Sequence, residues 1–416
     1  MSTTIEPGHR DTVGRGTTMR PDLLTAFGRP VWILAGQVGI ALVIVVGFGA
    51  YQPVKPNLQI LLLFACLSTS IALAPSGLVE RLMISLPVVA IFSWWAASGV
   101  WTYNVSGWRR NSELFLPTFA GLVVLVGLLP VRKVFDGMLF AVHVAIGWCV
   151  FFTLTNPGVA MRHEDGTPGW TGSFIHKNGL APFMVFAIIV ASSFDDHVRR
   201  RRFTYVVAGS FIVVSQSTTV IAVVSVMLPL GILMRRAAKL PAAGRTTLLM
   251  VCLVIVSLIG STLTLVVEPL LATRGKDLTL TSRTEIWAGV WTVIKERPWT
   301  GYGSGGVWLD PAAEPTSTIL RPLGFSVFHS HNGFLEVWLQ FGIIGLVLLL
   351  GTMLLVVKHG VALLADNVKA GMFLILYVSL VVITSFSEVT TLGVWLALLG
   401  AMHTLALRIR RSPTPT

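Results

Sequence analysis

Apolar runs about as long as a bilayer is thick recur throughout this chain, and they leave it few folds. The run 342–357, Gly-Ile-Ile-Gly-Leu-Val-Leu-Leu-Leu-Gly-Thr-Met-Leu-Leu-Val-Val, carries no charge at all. In hydrocarbon every backbone N–H and C=O needs an internal partner, and a helix of roughly 17–25 apolar residues provides them while crossing the bilayer. On that basis spans are predicted at 31–49, 58–74, 82–97, 114–131, 137–154, 179–193, 203–217, 219–234, 247–267, 334–357, 370–386 and 389–407. The seventh and eighth meet at Ser215-Gln-Ser-Thr-Thr219 with almost no loop, so they also read as one broken helix pair. The expected fold class is all-α, a polytopic integral membrane protein of about 12 transmembrane helices.

Charged residues make up 12% of the chain, against about 25% in a soluble domain. No stretch is long enough to act as a linker, so one domain is expected. Cys66, Cys149 and Cys252 all fall inside predicted spans, which excludes a disulfide framework or a zinc spacing. The net charge of +12 invites a nucleic-acid reading. Its distribution argues for membrane topology instead, because the basic residues sit in alternate short loops. With the N-terminus cytoplasmic, 20 of the 31 Lys and Arg residues fall inside. The first apolar run starts near Val31 behind a polar leader and is long enough to span, so no cleavable signal peptide is expected.

This orientation divides the chain into a disordered cytoplasmic leader (1–30), spans one to nine (31–267), an extracytoplasmic loop (268–333), spans ten to twelve (334–407) and a cytoplasmic tail (408–416). Two smaller loops share the outer side. Residues 98–113 carry Trp101, Tyr103, Trp108, Arg109 and Arg110, which suit an interfacial belt or a saccharide-stacking surface. The loop containing Arg162 ends in His176-Lys-Asn178 at the entrance of the sixth span. Such a cluster is placed to hold an anion at a helix N-terminus; equally, Lys177 is topogenic and Asn178 a cap. Asp195-Asp196 resembles a metal-binding pair but lies on the cytoplasmic side beside Arg199 to Arg202, where a solvated loop is expected.

The long loop holds the densest polar chemistry. Ser282-Arg-Thr-Glu285 matches a capping box, and Ile286, Val290, Val293 and Ile294 then share one face of a short amphipathic helix ended by Pro298. Arg283 would sit in the first turn, against the helix dipole. A bound anion would compensate it there, or its side chain snorkels to lipid headgroups. Gly301-Tyr-Gly-Ser-Gly-Gly306 offers either a backbone nest for phosphate through Gly303 and Gly305 or a plain flexible turn. His331 precedes Asn332, a good N-cap, so the dipole disfavours its protonation and leaves a neutral imidazole fit for a general base. Glu336 lies one turn further on, placed to orient the histidine or bind sugar hydroxyls. Without a further Cys or His nearby, His329 and His331 make a poor metal pair, and neither metal nor cofactor is expected.

Together these residues resemble the O-antigen ligase/polymerase superfamily. The pattern is Arg283-x-x-x-Trp287, then Pro298 with Gly301, Gly303 and Gly305, then His331-Asn-Gly-Phe-Leu-Glu336 leading into Gly342-Ile-Ile-Gly345. Gly172-Ser-Phe-Ile-His-Lys-Asn178 and Ser215-Gln-Ser217 resemble its ExoQ-like exopolysaccharide-polymerase branch, and the likeness covers roughly residues 170 to 400. It implies a membrane glycosyltransferase, GT-C-like in architecture, that uses a polyprenyl-pyrophosphate-linked oligosaccharide donor without metal or nucleotide. It carries the catalytic roles to Arg283 and His331, with Lys177 as a second phosphate contact beside His176, Asn178 and Arg162. The acceptor is a glycan or a lipid, and polysaccharide export or chain-length proteins are expected partners. The location implied is the cytoplasmic (inner) membrane. A polymerase, a ligase and a 12-span transporter are the competing functions. Span centres nearly free of charge, with His143 and His403 as exceptions, disfavour the transporter.

Overall fold

The computed structural model describes residues 23–48, 56–75, 85–161, 169–248, 251 and 278–411. Among them all regular structure is helical and no strand forms. The chain runs through α1 (Leu23–Gly47), α2 (Pro56–Ala72), α3 (Leu86–Ala97), α4 (Val105–Leu128) and α5 (Val131–Thr155). It continues through α6 (Lys177–Phe194), α7 (Val198–Ser215), α8 (Thr218–Ala237), α9 (Leu278–Glu296), α10 (Thr316–Leu320), α11 (Gly333–Leu363), α12 (Val368–Ser385) and α13 (Val394–Arg411). Six of these, α4, α5, α6, nearly all of α8, α11 and α12, are long and apolar enough to cross a membrane. Shorter apolar stretches lie in α1, α2 and α3. The expected ninth span, the start of the leader and Arg162 lie outside the described residues.

Local chemistry explains where boundaries moved. α1 begins at Leu23, inside the leader expected to be disordered, because Leu-Leu-Thr-Ala-Phe-Gly extends the apolar run backwards. α4 begins at Val105 rather than 114, since Asn104 accepts a hydrogen bond from Gly107 N (2.8 Å) and caps it. Trp108, Arg109 and Arg110 are therefore helical, and Arg109 pairs with Glu113 one turn on (2.6 Å). The break between α7 and α8 is as short as expected, with Gln216 left-handed at φ 48°.

The main core joins α1 to α5, α4 to α13, α11 to α12, and α6 to both α7 and α12. At the Phe194 end of α6, Asp195 is buried in a two-bond pair with Arg200 (2.7 and 2.8 Å). It is not the solvated residue expected; only Asp196 is exposed, bridging to Lys369 (2.8 Å). The carboxylate leaves water there because the fork of the half-exposed Arg200 guanidinium matches both of its oxygens. His143 and His403 are hydrogen-bonded as well, to Thr204 (3.0 Å) and Ser85 (2.8 Å).

A second, smaller core holds the long loop. Ile286, Val290, Val293 and Ile294 are all buried, as their spacing requires, against Tyr302, Val307, Ile319, Leu323, Val327 and Leu339. Its anchor is a break in α11. Gly342 has φ 68°, and a Cβ there would lie 2.0 Å from Trp299 O. The backbone of 298–303 docks into that break: Ile343 N donates to Pro298 O (2.8 Å), Tyr302 N to Leu339 O (3.0 Å) and Gly303 N to Gln340 O (2.8 Å). Groups freed by the interrupted helix are thus re-paired, as a buried backbone demands.

Candidate functional site

α9 begins at Leu278, so Ser282 is not its N-cap and Arg283 stands in the second turn rather than the first. The apolar pattern started the helix earlier than the capping-box motif indicated. Arg283 and Trp287 are four residues apart and share a face. Trp287 Nε1 donates to Ser330 O (2.9 Å), which brings that face against the 329–331 turn. The Arg283 side chain is only 18% exposed. Burial lowers its pKa and Glu388 pulls it back up; a guanidinium stays cationic through such shifts.

The turn itself is built by α11. Asn332 caps the helix as its sequence position suggests, accepting from Phe334 N (3.0 Å) and Leu335 N (3.1 Å). Glu336 is buried, and its oxygens accept from Gln340 Nε2 (2.6 Å), Trp308 Nε1 (2.9 Å) and Ser330 N (2.9 Å). It orients the histidines through the Ser330 backbone. Both oxygens are occupied away from solvent, so the sugar-binding role expected of Glu336 does not fit. His331 adopts φ 50°, a left-handed conformation rare for residues with a Cβ. Its N–H reaches His329 Nδ1 (3.2 Å), and the two rings lie 4.0 Å apart.

Facing this turn is a residue the sequence reading missed. Glu388 lies in the connection between α12 and α13, where Asn178 Nδ2 donates to its Oε1 (2.7 Å) and Arg283 Nη2 lies 3.5 Å from the same oxygen. Its Oε2 lies 3.9 Å from His331 Nδ1, a buried nitrogen with no hydrogen-bond partner. Asn178 is held in turn by Ser217 Oγ (3.1 Å) in the break between α7 and α8. A signal was present. Glu388 is the only Asp, Glu, Lys or Arg between residues 370 and 407, and a lone carboxylate in an apolar tail is a functional candidate by default.

Electrostatics follow from this crowding. Burial first, then His329, Arg283 and His176, push His331 down to about 3. His329 is lowered too, chiefly by burial. Burial raises Glu388 above the usual carboxylate value, opposed by Arg283, Asn178 and His176. The imidazole is thus held neutral, and the carboxyl is unusually ready to hold a proton.

Of the predicted residues, then, the structure brings together Arg283, His331 and Asn178, with His176 in electrostatic reach, while Lys177 opens α6 with its side chain near Gly169. Gly303 and Gly305 go elsewhere. Both are buried, and their N–H groups point to Gln340 O (2.8 Å) and Gln340 Oε1 (3.3 Å). With those donors spent on the α11 break, the expected phosphate nest is not formed.

Comparison with known proteins gives two matches. The O-antigen ligase family matches residues 203–350, which contain Arg283, Trp287 and His331 but neither Asn178 nor Glu388. Exopolysaccharide production protein ExoQ of Rhizobium meliloti (strain 1021) is 29% identical over 206 residues, 46% of this chain and 46% of that protein. The chain thus matches a little under half the length of this curated relative. By these two matches the chain is similar to the O-antigen ligase family over residues 203–350 and to an exopolysaccharide production protein over about half its length.

Proposed function

We propose that this protein polymerises a polyprenyl-pyrophosphate-linked glycan at the outer face of the cytoplasmic membrane. The observation that carries the proposal is the convergence of Arg283, His331, Glu388 and Asn178 from four separate segments onto one small volume. Arg283 holds the diphosphate of the donor, with Lys177 and His176 at the start of α6 beside it. Charge stabilisation of a leaving group is usually the largest catalytic term. The acceptor hydroxyl gives its proton to His331 Nε2 while its oxygen attacks the anomeric carbon. The bond to the diphosphate breaks, polyprenyl pyrophosphate leaves with the electron pair, and one displacement inverts the centre. Glu388 Oε2, opposite Nδ1, stabilises the imidazolium that forms, in the manner of a nucleophile–base–carboxylate array.

An imidazole at about 3 is a weak base. Diphosphate charge brought against it favours the protonated form, so its competence as a base arrives with the donor. Pyrophosphate is a good leaving group, and this reading uses neither metal nor nucleotide. It adopts twelve spans, cytoplasmic termini and an extracytoplasmic 268–333 loop from the charge asymmetry.

The family name favours a second reading, a ligase that moves glycan to a lipid or protein acceptor. A transporter fits less well, since the polar groups converge at one end of the helices rather than at their middle. The deciding experiment is reconstitution with lipid-linked oligosaccharide. Multimer ladders from donor alone support the polymerase, and product that needs a foreign acceptor supports the ligase. Full activity in both His331→Ala and Arg283→Ala refutes the site. Polysaccharide export and chain-length proteins are the proposed partners, to be sought by co-purification.

A further inference from the structure

Three potential metal ligands meet in this site: one ring nitrogen each of His329 and His331 and one Glu388 oxygen lie within 4.8 Å of one another. Among the described residues no other group of three His, Cys, Asp or Glu side chains does so. His331 Nδ1 is buried and unpaired, and it faces Glu388 Oε2 at 3.9 Å. The other oxygen, Oε1, is the one that Asn178 and Arg283 engage. The carboxylate is therefore pinned through one oxygen with its second turned to the histidines, an outer-shell arrangement that orients ligands. The two histidines alone made a poor site; Glu388 supplies the third donor from a distant segment.

We infer that His329, His331 and Glu388 form a binding site for a zinc-class divalent cation, which blocks the catalytic centre when occupied. Two imidazoles and one carboxylate oxygen suit zinc with a fourth position open. Magnesium and calcium want six or more oxygens, and this site does not offer them. A tetrahedral ion with bonds near 2.0–2.1 Å sets its ligands about 3.4 Å apart, so the 3.9 Å gap closes by about half an ångström on binding. Where His329 coordinates through Nδ1, the ion replaces that nitrogen's long bond from His331 N–H. Arg283 remains on Oε1, outside the coordination shell. The ion sits in the gap between His331 and Glu388, so zinc occupancy and the stabilisation of a His331 imidazolium by Glu388 exclude each other.

The site's existence does not depend on the proposed reaction, and its test needs no donor. Full-length, tag-free protein stripped with chelator is titrated with Zn²⁺ by calorimetry, and with Co²⁺ by visible absorption. The expected result is one ion per chain and the intense absorption of tetrahedral cobalt. Binding weakens at least tenfold in His329→Ala and likewise in Glu388→Gln, an isosteric change that keeps the Asn178 bond. Circular dichroism and gel filtration confirm that each variant is folded. Equal affinity in wild type and the double variant overturns the proposal, as does weakening in only one single variant. Zinc binding by a protein that shows no glycan transfer even when stripped of metal would sink the proposed function and leave this site standing; transfer by the stripped protein with no zinc binding would do the reverse.

Discussion

Glu388 Oε2 and His331 Nδ1 face each other across 3.9 Å without a hydrogen bond. The gap is too long for a proton to be shared, yet short enough for the carboxylate charge to act on an imidazolium as it forms. Glu388→Gln removes that charge while keeping shape. Its expected effect is a loss of about 10²-fold in kcat, the low end of the range for general-base catalysis, with donor KM little changed. Single-turnover transfer measures it, and a mutant falling only in donor affinity would make Glu388 a binding group instead.

The depressed His331 also leaves a mark on stability. Its pKa is about 3 folded against an ordinary 6.5, so below 6.5 the unfolded chain takes up a proton that the folded chain refuses. The neutral imidazole's contribution is whole above 6.5 and drains away as pH falls toward 3. Glu388, raised above 4.5, acts in the opposite sense, adding stability below 4.5 that fades as pH rises through its folded value. Thermal unfolding between pH 7 and 4 should therefore fall less steeply in His331→Gln than in wild type. Parallel curves would contradict the burial of the imidazole.

Gly342 tests the scaffold rather than the chemistry. With φ 68° and Trp299 O lying 2.0 Å from where a Cβ would go, Gly342→Ala pushes the 298–303 backbone out of the helix break. A strained backbone of this kind costs about 1–3 kcal/mol before the collision is added. The expected outcome is a lower Tm and new protease cleavage near Pro298, although Gly342 is none of the groups placed on the donor. Unchanged cleavage would mean the loop is held by other contacts.

The apolar face of α9 and the Asn332 cap were legible in the sequence because each depends on spacing within a short window, whereas the pairing of Arg283 with His331 rested on the family resemblance. Glu388 was not weighed, since its partners Asn178 and Arg283 are brought to it only by the packing of α6, α9 and α12. The glycine run misled for a related reason. Gly303 and Gly305 do present backbone N–H groups, as a nest would, but Gln340 of a helix that starts thirty residues later claims them. Ser282 looked like a cap because the motif is local, while the helix was set by residues before it. Periodicity survives folding; a free donor in a loop does not, once another segment arrives to use it.

Trp287 offers the sharpest separation of position from chemistry. Its Nε1 bond to Ser330 O (2.9 Å) ties the histidine turn to the face that carries Arg283. Trp287→Phe deletes the bond and keeps most of the packing, at about 0.5–1.5 kcal/mol for one net hydrogen bond. The turn is also held by Glu336 at Ser330 N, so it should loosen rather than unfold. A displacement of about 1 Å in a catalytic group suffices for losses up to 10²-fold, and kcat should fall while donor KM stays put because Arg283 keeps its charge and place. Zinc affinity should fall with kcat in this variant, since the same turn presents His329 and His331 to Glu388. A change in KM alone would move the role of Trp287 from the turn to the donor.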